Sequence, residues 1–338
     1  IKLVGVKKVM KFFPPVVTGP IIIAIGLCLA PSALNNCATC WPLAVVALVI
    51  VILFNIWGRG MAKIIPILLG VVGAYLFALI FGNGLGLLGE AGQVDVKAIA
   101  DAAWIGLPVH MDETIFAIDW NNSSAIIFAI TTMVPIAIAT MMEHIGDICA
   151  IGATVGKDFI NRPGLHRTLL GDGLATTLSS IFGGPANTTY GENTGVLALS
   201  KVYDPRVVRI AAYFAMAFSF CPKFAAIIES IPGAVVGGIS FVLYGMISAI
   251  GVRNVVEAKV DFSKARNTII AAVILVVALG LTGGITFTVG GHNITLTALA
   301  VASIAGIVLN LIFPEKDFDP EKAFNADAVS KQIELEKK

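Results

Sequence analysis

The chain alternates long apolar runs with short polar interruptions. Apolar stretches fall near 13–31, 41–57, 64–82, 124–147, 168–184, 206–230, 233–252, 267–282 and 295–313. Most approach the roughly 20 residues that a helix needs to cross a hydrocarbon core about 30 Å thick. One stretch breaks the rhythm. Residues 185–202 read Pro185-Ala186-Asn187-Thr188-Thr189-Tyr190-Gly191-Glu192-Asn193-Thr194-Gly195, then Val196-Leu197-Ala198-Leu199. That is too polar for a lipid-facing helix and too tightly flanked by apolar runs for an ordinary long loop. Non-helical backbone at membrane depth survives only where protein buries it or a cavity meets it. The expectation is an extended piece over 185–190 and a half-helix over 193–202.

Composition strengthens this picture. The chain is 57% hydrophobic and only 13% charged, where soluble domains run near a quarter charged. The fold class is an all-α polytopic membrane protein with lipid as its solvent. A formal net charge of +1 gives no footing for nucleic acid. The four histidines and five cysteines show no metal-ligand spacing, so neither metal nor cofactor is expected. Cys37 and Cys40 sit in a short polar stretch, Asn35 to Cys40, and read as two small loop cysteines, with a disulfide or metal clip as the alternative.

Basic residues cluster in alternate connections: Lys2, Lys7, Lys8 and Lys11; Arg59 and Lys63; Lys157, Arg162 and Arg167; Lys201, Arg206 and Arg209; Arg253, Lys259, Lys264 and Arg266. Positive loops stay on the cytoplasmic side. The alternation closes only if 185–202 counts as one crossing. Both ends are then cytoplasmic, and the opposite side receives 31–40, 83–123 and 283–294. Within 83–123, the segment Val94–Val109 reads as a short amphipathic helix with Trp104 at the interface, or as a structured loop. From Glu315 a charged tail is predicted to be partly disordered.

Ionisable groups inside a membrane are costly and need a reason. Glu143 and Asp147 stand i, i+4 near the end of the run 124–147 and share one helix face. Two acids on one face repel if both ionise, so one is expected to hold a proton or both to meet donors. Glu192 is the second intramembrane acid, flanked by Gly191 and Gly195. A broken helix leaves N–H groups free for a ligand, and glycine lets a flat ligand approach the backbone.

The run Glu192-Asn193-Thr194-Gly195-Val196-Leu197-Ala198-Leu199-Ser200-Lys201 resembles the signature of the nucleobase–ascorbate transporters, with Ser200 in place of threonine. Asn187 to Gly191, Glu143-His144-Ile145-Gly146, Pro163 to Arg167 and Leu243-Tyr244-Gly245 are similar to the uracil permease branch. The resemblance runs from about Phe12 to Phe313. It implies two inverted seven-segment repeats divided into core and gate domains. On that plan 1–12 ends the fourth segment, 13–82 is the first part of the gate (segments five to seven), and 83–123 is an extracytoplasmic loop. The core is 124–230, with its strand and half-helix at 185–202. The second part of the gate is 233–313, and 314–338 is a cytoplasmic tail. About ten of the fourteen segments would be present, with the chain truncated at its N-terminus. The third segment, which helps complete the site in relatives, would precede Ile1.

By resemblance, Glu143 binds a ring N–H and an exocyclic oxygen of uracil, Glu192 the opposite side, and Gly191 N–H a carbonyl. Tyr190 and Asn193 join that pocket. Asp147, Glu143 and His144 are the proton-coupling candidates. Asp147 stands where some bacterial uracil permeases carry a histidine implicated in coupling. Tyr244 is a gate candidate or an interfacial aromatic. The implied function is proton-coupled uptake of uracil at the cell membrane by alternating access, in a chain able to pair as a homodimer through its gate domain. A purine symporter for xanthine or uric acid is the alternative. An anion transporter of the same plan ranks below, since two acids suit an anion poorly. A membrane-embedded enzyme ranks there too, because no nucleophile–base pair or metal motif is legible.

Overall fold

The computed structural model describes residues 11–289 and 292–314; a few side chains within its helices and strands, that of Glu192 among them, lie outside the description. The predicted tail, and the segment 1–12 apart from its last two residues, also lie outside the described residues.

Helices account for nearly every predicted span. They are α1 (Pro15–Thr39), α2 (Trp41–Trp57), α3 (Pro66–Phe77, prolonged by a π-helical turn at Ala78–Gly84), α4 (Val96–Asp101), α5 (Ser123–Val155), α6 (Leu165–Ile181), α7 (Glu192–Ser200), α8 (Pro205–Ser219), α9 (Pro222–Glu229), α10 (Gly233–Glu257), α11 (Ala265–Gly280) and α12 (Ala298–Ile312). Proline opens many of them, as at Pro66, Pro205 and Pro222. Its missing N–H costs nothing in the first helical turn, where that group has no intrahelical acceptor. Polar side chains cap others: Asn122 accepts from Ala125 N at the start of α5, and Thr297 from Ala300 N at the start of α12. Gly156, at φ +72°, ends α5 in the left-handed region, where a side chain would be strained.

Among the described residues, four helical stretches are long and apolar enough to cross a membrane: Pro15–Thr39, Pro66–Gly84, Ser123–Gly152 and Gly233–Glu257. The pair α8 and α9 makes a fifth, bent by 95° at its break. This differs from the single run expected at 206–230. Pro222 has no N–H to continue the hydrogen-bond ladder, so the chain turns there instead.

Three connections also differ from expectation. Residues 31–39 are not a loop: α1 runs on to Thr39. Cys37 and Cys40 are therefore buried free thiols, packed with Leu43, Ala44 and Ala234. The connection expected at 283–294 carries a hairpin that runs on to Leu296, β1 (Ile285–Val289) with β2 (His292–Leu296), antiparallel with Thr286 opposite Thr295. Its alternation of Thr with Ile, Phe and Val around Gly290-Gly291 is a hairpin signal. In 83–123, only Val96–Asp101 is α-helical, with Asp95 accepting from Ala98 N as its cap.

The chain divides into two compact units, one of residues Ile1–Cys28, Met111–Thr194 and Ile247–Lys338, the other of Leu29–His110 and Gly195–Met246. The first unit packs Val17, Ile21, Met142, Ile270, Ile274 and Ala302 into its core. The second packs Leu43, Ala47, Val51, Ala74, Val235 and Ile239. Elsewhere the helices present large apolar side chains outward: Val49, Leu53 and Ile56 on α2, and Val208, Tyr213 and Phe214 on α8. Water would not tolerate so much exposed apolar surface; lipid does.

Lipid tails are as apolar as leucine, so helix association here depends on close van der Waals packing by small residues. In the first unit, α10 meets α1 at Gly251. A Cβ there would lie 2.6 Å from Ile23 N and 2.8 Å from Gly19 O. Both neighbours are backbone and cannot swing aside. Gly251→Ala is expected to destabilise the protein by about 1–3 kcal/mol, the usual range for overpacking. A fall in melting temperature in detergent would show it, and an unchanged melting temperature would count against this packing.

Candidate functional site

The site is assembled in the first unit from α5, α6 and the non-helical stretch 184–190 that leads into α7. On α5, Glu143, His144 and Asp147 follow the helical spacing that puts Glu143 and Asp147 on one face. The stretch 184–190 carries no helix or strand. It is laced to α6 instead. Thr176 Oγ1 donates to Asn187 O at 3.2 Å and accepts from Asn187 N at 3.1 Å, while Ser179 Oγ donates to Pro185 O at 2.8 Å. Side chains thus supply the partners that a regular ladder would have given this backbone.

That lacing holds two threonines against α5. Thr188 Oγ1 donates to Glu143 Oε2 at 3.3 Å. Thr189 Oγ1 lies 2.7 Å from His144 Nδ1, and Thr168 of α6 lies 2.9 Å from His144 Nε2. Asp172, one turn along α6 from Thr168, brings its Oδ2 within 3.5 Å of His144 Nδ1. His144 and Asp147 are buried, at 3% and 2% exposure. Gly191 closes onto Asp147: a Cβ at 191 would stand 2.5 Å from Asp147 Oδ1 and 3.0 Å from Ile250 Cδ1. The chain then turns into α7, with Thr194 N donating to Gly191 O at 3.0 Å and Asn193 N to Tyr190 O at 3.3 Å.

The structure therefore brings together Glu143, His144, Asp147 and Gly191. Tyr190 is 67% exposed and Asn193 is exposed. Glu192 opens α7, and its side chain lies outside the described residues. Tyr244 belongs to the second unit, half-buried on α10. Asp172 and Thr168 are absent from the candidates read from sequence. Asp172 had a signal: it is an ionisable residue inside the apolar run 168–184, the same feature that singled out Glu143. Thr168 had none, since a threonine bonded to its own helix is unremarkable until a neighbour is seen.

Chemically, the arrangement sets Asp172 beside the His144 imidazole, Glu143 against Thr188 and Asp147 against Gly191. Carboxylates accept from N–H donors when ionised and donate one O–H when protonated. Such a site suits a neutral ligand rich in N–H and C=O groups, or a proton. Among the described residues, no group of three His, Cys, Asp or Glu is placed to hold a metal ion.

Apolar helices facing outward and a polar break among them define a polytopic helical membrane protein. Comparison with known proteins gives the family. A Permease family model matches residues 1–287. A uracil permease of Bacillus subtilis (strain 168) is 40% identical over 328 residues, spanning 93% of this chain and 72% of the relative. A uracil permease of Bacillus caldolyticus is 39% identical over 336 residues, spanning 96% and 73%. One from Escherichia coli (strain K12) is 38% identical over 313 residues, spanning 89% and 67%. The chain belongs to the nucleobase–ascorbate transporter family of permeases.

Proposed function

We propose that the protein carries uracil across the cell membrane together with a proton, by alternating access. The observation that carries this is the meeting of Glu143 with Thr188 and of Asp147 with Gly191, which puts two acids of α5 against the polar break. The similarity to proteins named uracil permease supports the same ligand. Uracil is planar, with N–H donors beside carbonyl acceptors. Glu143 and Glu192 would take its N–H edges, Gly191 N–H a carbonyl, and Tyr190 and Asn193 would line the pocket. Glu143 and Asp147 form the titratable pair for coupling, and His144 lies between them in sequence.

The wider plan is part of the same proposal. It comprises inverted repeats, a core over 124–230 moving against a gate over 13–82 and 233–313, Tyr244 in the gate, pairing through the gate, and cytoplasmic Lys/Arg-rich loops with both ends on that side. Protonation would then change ligand affinity, and by linkage the ligand would tighten proton binding equally.

Thermal stabilisation by uracil, thymine and xanthine, measured across pH, tests this proposal. Uracil is expected to stabilise most, and its effect to vary with pH. A larger shift with xanthine would make the protein a purine carrier. In reconstituted vesicles, uracil uptake indifferent to an imposed pH gradient would remove the proton from the scheme.

A further inference from the structure

His144 makes more polar contacts, to more elements, than a core residue needs. Its ring is 3% exposed and joins three pieces of chain: α5 by its own backbone, α6 through Thr168, and the polar break through Thr189. The hydrogen bonds also select one form of the ring. Thr168 donates its hydroxyl hydrogen to Leu165 O at 3.1 Å. With that hydrogen on Leu165 O, its oxygen accepts from the ring, which assigns the hydrogen to Nε2. In the neutral imidazole, Nδ1 is left as an acceptor, and Thr189 O–H is the donor 2.7 Å away. Proton direction therefore runs one way, from Thr189 through the ring to Thr168 and on to the Leu165 carbonyl. Each contact in the chain has one donor and one acceptor.

We infer that His144 is a positioning residue, held as the neutral Nε2–H tautomer, whose grip on Thr189 sets the register of the polar break against Glu143. This rests on the transport reading above and gives His144 a different part from Glu143 and Asp147. Thr188 and Thr189 are consecutive. Fixing Thr189 on His144 fixes where Thr188 meets Glu143 Oε2 and where the following Gly191 meets Asp147. The charged group facing the ring is Asp172 from α6 at 3.5 Å, while Glu143 and Asp147 are its neighbours along α5. From the break, the one titratable neighbour with a described side chain is Tyr190, which is 67% exposed. In this tautomer Nδ1 offers Asp172 no hydrogen, and Asp172 would gain one only with a proton placed on Nδ1. That event would remove the lone pair that Thr189 now uses.

Four variants decide the matter: His144→Ala, Thr189→Val, the two combined, and His144→Asn, whose amide oxygen can replace Nδ1 as the acceptor. Uracil affinity is expected to fall about tenfold in each of the first two, the scale of losing one buried hydrogen bond and leaving its partner unpaired. The double variant should lose no more than the worse single, because the contact between His144 and Thr189 is already gone in each. His144→Asn should recover part of the loss, and proton dependence of uptake should persist in it. A His144→Asn protein whose uptake no longer responds to pH would overturn the inference and make the ring a proton carrier. So would losses in the double variant that multiply, or a Thr189→Val protein within twofold of the parent. Nitrogen NMR of histidine-labelled protein reads the tautomer without reference to transport: protonated Nε2 with bare Nδ1 is expected, and the reverse overturns the assignment. A parent protein that never binds uracil while its ring shows the expected tautomer would instead count against the transport reading alone.

Discussion

Replacing Glu143 by alanine is expected to weaken uracil binding by at least about 100-fold. An ionised carboxylate taking hydrogen bonds from a ligand is worth about 1.5–3 kcal/mol per bond, and every 1.4 kcal/mol is tenfold. Two such bonds therefore account for the loss. A further penalty falls on the protein. Thr188 Oγ1 now donates to Glu143 Oε2 and would lose that acceptor. Glu143→Gln separates charge from shape. Its amide oxygen keeps one acceptor for Thr188, so the polar break should stay in place, while the negative charge and the site for a proton are gone. Glutamine is expected to bind uracil more weakly than the parent and to lose most of the pH dependence of binding. Calorimetric titration from acid to neutral pH measures both. Parent-like affinity in Glu143→Ala would show that the ligand binds elsewhere.

Gly191→Ala is expected to abolish detectable transport while leaving the fold intact. The added methyl would sit 2.5 Å from Asp147 Oδ1 and 3.0 Å from Asp147 Cγ, well inside contact distance for carbon and oxygen. Asp147 is buried at 2% exposure, so it has little room to retreat. Ile250 Cδ1 blocks another direction at 3.0 Å. Either the carboxylate moves or the turn into α7 moves, and in both cases Asp147 and the N-terminus of α7 part company. Binding and proton response should fail together, whereas Thr189→Val should lose affinity and keep its pH response. Gly171→Ala supplies the control. Nothing lies within 4 Å of a Cβ at that position on α6, and alanine is the better helix former by about 1 kcal/mol. That variant should transport like the parent. Full transport by Gly191→Ala would refute the close approach drawn here.

These expectations separate three parts for neighbouring side chains on one helix turn. Glu143 meets the polar break directly. Asp147 is packed against the glycine that precedes α7. His144, between them in sequence, faces α6 and Thr189. Their order along the chain conceals the division, because consecutive helical residues point about 100° apart.

By itself, the sequence determined where most of the helices lie, that lipid is their solvent, and which acids stand inside the apolar runs. These follow from local properties: runs of apolar residues, the rarity of charge within them, and proline or a polar cap at helix starts. Proline and cap signals mark α3, α5 and α12, and the run at 185–199 announced its own irregularity through glycine and hydroxyl residues. Tertiary structure decided what such signals do not encode. Cys37 lies in a polar-looking stretch, yet α1 continues through it and buries the thiol, because packing against Ala234 and Leu43 outweighs local polarity. The run 206–230 reads as one apolar stretch, yet bends by 95° at the break before Pro222. The largest difference concerns the two acids with which the chemistry began. Glu143 and Glu192 were legible as expensive charges. That Thr188 donates to one of them, that His144 holds the neighbouring Thr189, and that Asp172 joins from another helix depend on distances between segments 24–45 residues apart. Such distances are set by how helices pack, and no local pattern carries them.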